Sequence, residues 1–393
     1  MGARLRVSNI GRILAGLGAV TLFVCEEERA GEQPCLPLHA PYASVERVHL
    51  RHRRERSFLN RLRHELDAGY LNTHGLSISA AARAELLPRL EHFDLTWVHT
   101  LRTANALGIR RWPAGVLDVD DLYSGLYRSM AGADDDPVRR FLHLRMAHIW
   151  RVREHRLPSR FRRLVVCSES DRKALGSLAI THVVRNGYSL SVPRADAALR
   201  DSQRLGFVGL LTYAPNRDGL AWYIRTVWPV VKRLAPAARL RVVGQGGDQA
   251  LSALGRDIDV LGYVEDLGAE MESWAASVVP VRFGAGTRVK IAEAFARCCP
   301  VVSTTLGAAG YEVTDGCELL LADTPEAFAF ACLRLLEQPA LRRTLAHNGW
   351  QRFQAEWSWG AIARSVEAVV EATLRASRGR VPVDQPPMAT TSY

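Results

Sequence analysis

The sequence predicts an α/β protein built as two doubly wound domains that face a cleft. Three observations lead there. The chain has 393 residues, more than one ordinary core organises and enough for two domains of about 150–200 residues each. Both halves alternate continuously apolar short runs with helical patterns, which implies parallel strands covered on both faces. A polar stretch with no clear period, residues 186–203, separates the two alternations.

Taken in order, the first domain, residues 1–190, opens with ILAGLGAVTLFV (13–24) behind Arg4, Arg6 and Arg12. A signal peptide is one reading, but no small-x-small cleavage site follows and three glutamates do. A helix end, a turn at Gly16–Gly18 and a short buried strand is the reading that fits. Further strands are DLTWVHT (94–100), AGVLDVDDL (114–122) and RRLVVCS (162–168). The segment 137–158 carries Val138, Phe141, Leu142, Ile149 and Val152 at near-helical spacing, with six arginines and one acid. It could lie on an anionic membrane; a helix packed on the sheet with a solvated arginine face is favoured, because amphipathic helices usually face a core. The second domain, 191–358, repeats the rhythm with RLGFVGLL (204–211), ARLRVVG (238–244), DIDVLGYV (257–264), ASVVPVR (276–282) and CCPVVSTT (298–305). Residues 359–378 form a last helix expected to cross back to the first domain, and the Pro-rich polar tail 379–393 is expected to be disordered.

Composition narrows the function. The net charge is +10, and residues 1–190 hold 29 Lys and Arg against 20 Asp and Glu, whereas the rest holds 22 against 21. The basic excess therefore sits in the first domain and suits a partner carrying phosphate at an anionic membrane face. Nucleic acid is the other partner for a basic chain, but no interleaving of aromatic and basic residues supports it. No segment reaches the roughly 18–20 apolar residues of a membrane span. The seven cysteines show neither a CxxC pair nor a histidine at ligand spacing, so a zinc site is not expected and a reducing compartment such as the cytoplasm is.

The chemistry concentrates in VRFGAGTRVKIAEAF (281–295). Two cations in the first turn of a helix face the positive end of its dipole, so the pattern makes sense only around an anion. Gly284 and Gly286 let the backbone turn closely, Thr287 is the expected N-cap, and Arg288 and Lys290 are expected to have no structural partner. Glu293 falls one turn beyond Lys290, where a carboxylate can accept from ribose hydroxyls. The combination reads as a site for a nucleoside diphosphate.

The stretches FVGLLTYAPNRDGLAWYI (207–224), LRVVGQGGD (240–248), LGYVEDL (261–267), GAGTRVKIAEAFARCCPVVSTTLGAAG (284–310) and EWSW (356–359) resemble the donor-binding half of GT-B glycosyltransferases. The likeness is to group 1 enzymes of glycosyltransferase family 4, in the bacterial exopolysaccharide-type branch. DVDDL (118–122), VVCSESDR (165–172) and RNGY (185–188) resemble the same branch. The resemblance implies two Rossmann-like domains, a nucleotide sugar (UDP- or GDP-linked) as donor, no cofactor or metal, and transfer with retention. It implies that Gly209 gives room near the donor phosphates and that Asn216 polarises a phosphate or sugar oxygen. Arg288 and Lys290 would neutralise the leaving β-phosphate, and Glu293 would bind ribose. His99 resembles the first-domain histidine that approaches the donor sugar; the other reading is a histidine satisfied at its strand end. Asp120 and Asp121, at a later strand end, are read as acceptor-side contacts.

Three departures stand against the family pattern. Ala285 and Ala309 occupy positions where it often has Glu. The N-terminal match begins at Gly2, the last of the family's loop glycines, so the first strand, usually central in the sheet, is expected to be missing. Either translation starts upstream of Met1, which is the favoured expectation, or the first domain is damaged; reading the upstream DNA in frame tests it. The reading is a metal-independent, retaining hexosyltransferase of cell-surface polysaccharide synthesis, acting on a lipid-linked or saccharide acceptor as a peripheral protein of the inner membrane face. Two rivals remain: a degenerate, non-catalytic binding or scaffold protein, and a sugar-nucleotide epimerase of the same fold.

Overall fold

The computed structural model of the chain describes residues 2–27, 42–52, 59, 75–112, 114–189, 202–246 and 257–378. Thirteen strands among them form three sheets.

The second domain is one parallel sheet of six strands. These are β8 (Arg204–Val208), β9 (Arg239–Val243), β10 (Ile258–Gly262), β11 (Ala276–Val279), β12 (Val301–Ser303) and β13 (Leu320–Leu321), in the spatial order β10-β9-β8-β11-β12-β13. Strand order runs outward in one direction from β8 and in the other from β11. The switch point therefore lies between those two strands, and open α/β sheets bind ligands outside the carboxyl ends at that place. One face buries Leu205, Phe207, Leu240, Val242 and Val278 against Leu220, Tyr223, Val227, Phe328 and Leu335, and the other buries Val243, Val279 and Val301 against Ile291, Phe295 and Phe353. Sequence chemistry sets the helix starts. Thr324 accepts from the Ala327 N–H at 3.2 Å with Pro325 in the first turn, and Asp266 accepts from Ala269 at 3.0 Å.

The first domain departs from a single sheet. Strands β1 (Thr21–Glu27), β2 (Ser44–His52) and β3 (Leu76–Ile78) form one sheet, with β1 parallel to β2 and β3 antiparallel. Strands β4 (Thr96–His99), β5 (Gly115–Asp120), β6 (Arg163–Val166) and β7 (Thr181–Val183) form another, all parallel. β1 and β4 are each the edge of their own sheet and do not pair with one another. The two sheets nonetheless share a core in which Leu50, Leu76 and Ile78 meet Val98, Leu101, Leu117 and Leu164. The segment 13–24 is the end of a Gly2–Leu17 helix followed by β1, whose residues are half-buried rather than buried.

The Trp359–Arg378 helix packs back on the first domain. Ile362, Val366 and Val369 join Ile10, Val116, Val165 and Val184 in one apolar cluster, and Arg163 donates to the Ala372 carbonyl at 3.0 Å. The tail 379–393 lies outside the described residues, as does most of the join at 186–203.

The basic segment is a Pro137–Glu154 helix, capped by Asp136 on the Val138 N–H and paired with the Tyr123–Ala133 helix. Its packing differs from the favoured expectation. Ile149 and Trp150 are buried, but Val138 and Phe141 are each 66% exposed and Leu142 is 47% exposed. The first two turns extend past the core, so only the second half of the helix rests on the sheet.

Candidate active site

At the carboxyl end of β8 the chain turns through Gly209 and enters the Ala214–Trp222 helix, which carries Asn216 in its first turn. A Cβ on Gly209 would lie 2.7 Å from the Asn216 amide nitrogen and 3.1 Å from Lys290 Nζ. Glycine is therefore required by close approach. Lys290 Nζ donates to Asn216 Oδ1 at 2.9 Å and sits 4.5 Å from the Phe207 ring centroid. Asn216 in turn donates to the Leu210 carbonyl at 3.0 Å. Burial, with Arg288 beside it, pushes the Lys290 ammonium down to about 7; a cation so placed is poised to gain from an arriving anion.

The loop after β11 carries Gly284, Gly286 and Thr287 into the Val289–Ala296 helix. Gly284 donates its N–H to Ser129 Oγ of the first domain at 2.9 Å. Gly286 has φ +72, and a side chain there would collide with the Asp121 carboxylate. Arg288, not Thr287, is the N-cap of the Val289–Ala296 helix, and no side chain caps that terminus. Thr287 Oγ1 is taken instead by the Asn186 amide, which donates to it at 3.0 Å. Of the first-turn N–H groups, that of Ile291 donates to the Arg288 carbonyl at 2.9 Å, and an uncapped terminus of this kind suits an anion. Nor are the cations unpartnered: Lys290 has Asn216, and Arg288 Nη1 donates to the Gly286 carbonyl. Arg288 Nη2 is buried with no hydrogen-bond partner among the described residues, and burial lowers the Arg288 pKa against the pull of Tyr213 and Asp121. One donor is therefore aimed into a site that holds no acceptor for it.

Glu293 lies one turn on, buried, and accepts from Tyr188 Oη at 2.5 Å while facing Arg297 at 3.7 Å. Burial pushes its carboxyl up, with Tyr188 and Arg297 opposing. A ribose would share this carboxylate with Tyr188.

Across the cleft, β4 and β5 present His99, Asp120 and Asp121. His99 Nδ1 lies 3.3 Å from Asp118 Oδ2, and Nε2 is buried without a partner. Thr100 and Asp120, the next residue after β4 and the last of β5, have φ +67 and +62. Positive φ costs a β-branched residue in particular, and such strain gathers at functional sites. Asp120 accepts from Cys167 Sγ at 3.4 Å. Asp121 packs against Gly286 of the loop after β11. Burial, then Asp120, push its carboxyl up to about 7 despite Arg288.

Arg6, Asn186 and Tyr188 belong to this site and are missing from the sequence reading. Arg6 is 1% exposed, with Nε and Nη2 on Asp118 at 2.8 and 2.7 Å and Nη1 on Asn186 Oδ1 at 3.0 Å. Asn186 and Tyr188 lie in RNGY (185–188), a stretch quoted for its resemblance but given no role. Among the described residues no group of three or more His, Cys, Asp or Glu side chains is arranged to hold a metal ion.

Comparison with known proteins gives the geometry its context. Residues 202–338 match the family model described as Glycosyl transferases group 1. An uncharacterized 44.6 kDa protein in the cps region of Klebsiella pneumoniae is 24% identical over 170 residues, which cover 41% of this chain and 44% of that protein. HepE of Anabaena, solved with UDP-glucose, superposes with a TM-score of 0.61 at 15% identity over 94% of this chain and 96% of its own. Sucrose-phosphate synthase of Thermosynechococcus elongatus gives 0.65 at 19% identity, covering 94% and 93%. These likenesses show the fold, which is GT-B: two Rossmann-like domains across a cleft.

Proposed function

We propose that the chain, whose residues 202–338 match the Glycosyl transferases group 1 family model, moves a sugar from a nucleoside-diphosphate donor to an acceptor held by its basic first domain. One observation carries the reading: Gly209, Asn216, Lys290 and the unpartnered Arg288 Nη2 converge beside an uncapped helix N-terminus. As the glycosidic bond breaks, the β-phosphate gains charge, and Lys290 and Arg288 offer their donors to it. Because these fixed cations and N–H groups supply the charge, the transfer is proposed to need no metal. Retention of configuration, with a donor phosphate oxygen taking the acceptor proton, is proposed because the stretch 281–295 supplies one carboxylate, Glu293, where a retaining hydrolase uses a pair about 5 Å apart.

The donor is proposed to be UDP- or GDP-linked; UDP-glucose is bound by HepE. The acceptor is proposed to be a lipid-linked or saccharide anion at the inner membrane face, in cell-surface polysaccharide synthesis. The Klebsiella relative's cps-region origin supports that setting. No described helix is long and apolar enough to cross a membrane, so the association would be peripheral. The non-catalytic rival draws support from the divided first-domain sheet. A thermal-shift titration with UDP, GDP, ADP and TDP, with and without EDTA, tests the proposal. Stabilisation by one nucleotide, insensitive to EDTA, is expected; no shift with any refutes it. Sugar turnover that needs no acceptor would mark an epimerase.

A further inference from the structure

We propose that Arg6 is a positioning residue that sets both walls of the cleft with one guanidinium, orienting His99 through Asp118 and Thr287 through Asn186. The inference rests on the glycosyl-transfer reading for its functional meaning, but its geometry is independent of any donor. Arg6 lies on the Gly2–Leu17 helix, far in sequence from everything it touches, and is fully enclosed. Its Nε and Nη2 form a fork on the two oxygens of Asp118 at 2.8 and 2.7 Å. Its Nη1 reaches the Val184 carbonyl at 2.9 Å, Asn186 Oδ1 at 3.0 Å and the Arg185 carbonyl at 3.2 Å.

Each end of the fork leads to one side of the cleft. Asp118 Oδ2, already accepting from Arg6, faces His99 Nδ1 at 3.3 Å. Burial would raise the Asp118 carboxyl, but Arg6 and then His99 outweigh it and hold the group well below the usual carboxylate range. An ionised carboxylate only accepts. His99 must therefore carry its proton on Nδ1, which leaves Nε2, in the neutral ring, as an acceptor for a hydroxyl group. At the other end Asn186, fixed through its oxygen by Arg6, donates its amide to Thr287 Oγ1 at 3.0 Å and to Cys167 Sγ at 3.2 Å. Thr287 directly precedes the N-cap residue of the anion-binding helix. A buried arginine with one carboxylate gives little net stability over an apolar pair of the same volume. A fixed fork that holds Asp118 on one side and Asn186, the partner of Thr287 in the second domain, on the other does what an apolar pair could not.

The test joins nitrogen-15 NMR of the His99 ring, assigned with His99→Gln, to nucleotide titration. The parent is expected to show His99 as the single Nδ1–H tautomer. In Arg6→Met, Asp118 loses its counter-charge, takes a proton and donates to Nδ1, so His99 is expected to shift towards Nε2–H. Asn186→Ala is expected to keep the parent tautomer yet bind UDP or GDP, whichever the parent prefers, about fivefold more weakly, the loss of one ordinary hydrogen bond. Should Arg6→Met fail to fold, Arg6→Lys keeps the charge without the Nη1 arm and is expected to weaken the nucleotide as Asn186→Ala does. A parent His99 protonated on Nε2 alone overturns the relay, whatever the protein binds. Equally, Arg6→Lys and Asn186→Ala binding as tightly as the parent, with only the melting temperature lowered, leaves Arg6 a structural ion and overturns the inference. A parent that binds no nucleotide but shows the tautomer and its shift in Arg6→Met would sink the transferase reading and keep the relay.

Discussion

Raising the pH through neutrality should switch off nucleotide binding through Lys290. The ammonium is buried beside Phe207 and Asn216, and burial with Arg288 holds it down at about 7 in the folded, empty protein. A bound diphosphate replaces the lost hydration with charge and holds the proton on, so binding above neutrality must take up a proton. From about pH 7 to about pH 8.5 the charged fraction of a group titrating near 7 falls about 15-fold, which is about 1.6 kcal/mol of binding. Calorimetry with the preferred nucleotide, in two buffers of different ionisation enthalpy, reads both quantities. Near one proton taken up per nucleotide at the higher pH is expected, with Kd weakened by about the factor above. Lys290→Met should bind weakly and lose the proton uptake. The same residue fixes a stability sign. A lysine whose folded pKa is depressed makes the unfolded state the better proton binder between about 7 and 10.5, so ligand-free stability rises with pH there and Lys290→Met should gain stability below it. Binding that ignores pH, with no proton exchanged, would refute the buried-ammonium argument.

Three further outcomes follow from neighbouring residues. Gly209→Ala places a methyl 2.7 Å from the Asn216 amide and 3.1 Å from Lys290 Nζ; nucleotide affinity by thermal shift should fall at least about tenfold, about 1.4 kcal/mol, and parent-like affinity would show the pair is free to move. Asp121, pushed up to about 7, binds its proton more tightly folded than unfolded, so stability is lost as pH rises from about 4 through 7. Asp121→Asn should flatten that dependence in urea unfolding, and an unchanged slope would clear Asp121 of it. Tyr188→Phe removes the 2.5 Å hydrogen bond to Glu293 and should cost about 1–2 kcal/mol of stability, with a smaller change marking the bond as weak.

How much of this was legible depended on sequence distance. The second-domain sheet could be read because its strands are continuously apolar and its glycine turns stand at their carboxyl ends. Gly209, Asn216, Gly284, Gly286, Arg288 and Lys290 meet at the switch point for the same reason. The cap of the Val289–Ala296 helix was misplaced by one residue, since Thr287 has the right chemistry for a cap but is claimed by Asn186. The outward face of Val138 and Phe141 was illegible because helical spacing records an apolar stripe, not whether a partner covers it. Arg6 was hidden for a different reason. Among 51 cations nothing local distinguishes the one whose carboxylate lies 112 residues away.

The same long-range contacts give the cleft its character. Asp121 closes on Gly286, Ser129 holds the Gly284 N–H, and Asn186 holds Thr287, so three first-domain or linker residues grip the one loop that precedes the Val289–Ala296 helix. The grip has costs that stability alone would not select. Thr100 and Asp120 are held at positive φ at the ends of neighbouring strands, each at about 1–3 kcal/mol. Asp121 is kept with its carboxyl raised, and Lys290 with its ammonium depressed. Arg288 retains an idle buried donor. All five costs lie within the cleft, and a ligand with two phosphates would relieve those on Lys290 and Arg288 directly by supplying the missing negative charge. A site that is least comfortable when empty gains most of its binding energy where charge is greatest, which for a glycosyl donor is at the departing diphosphate.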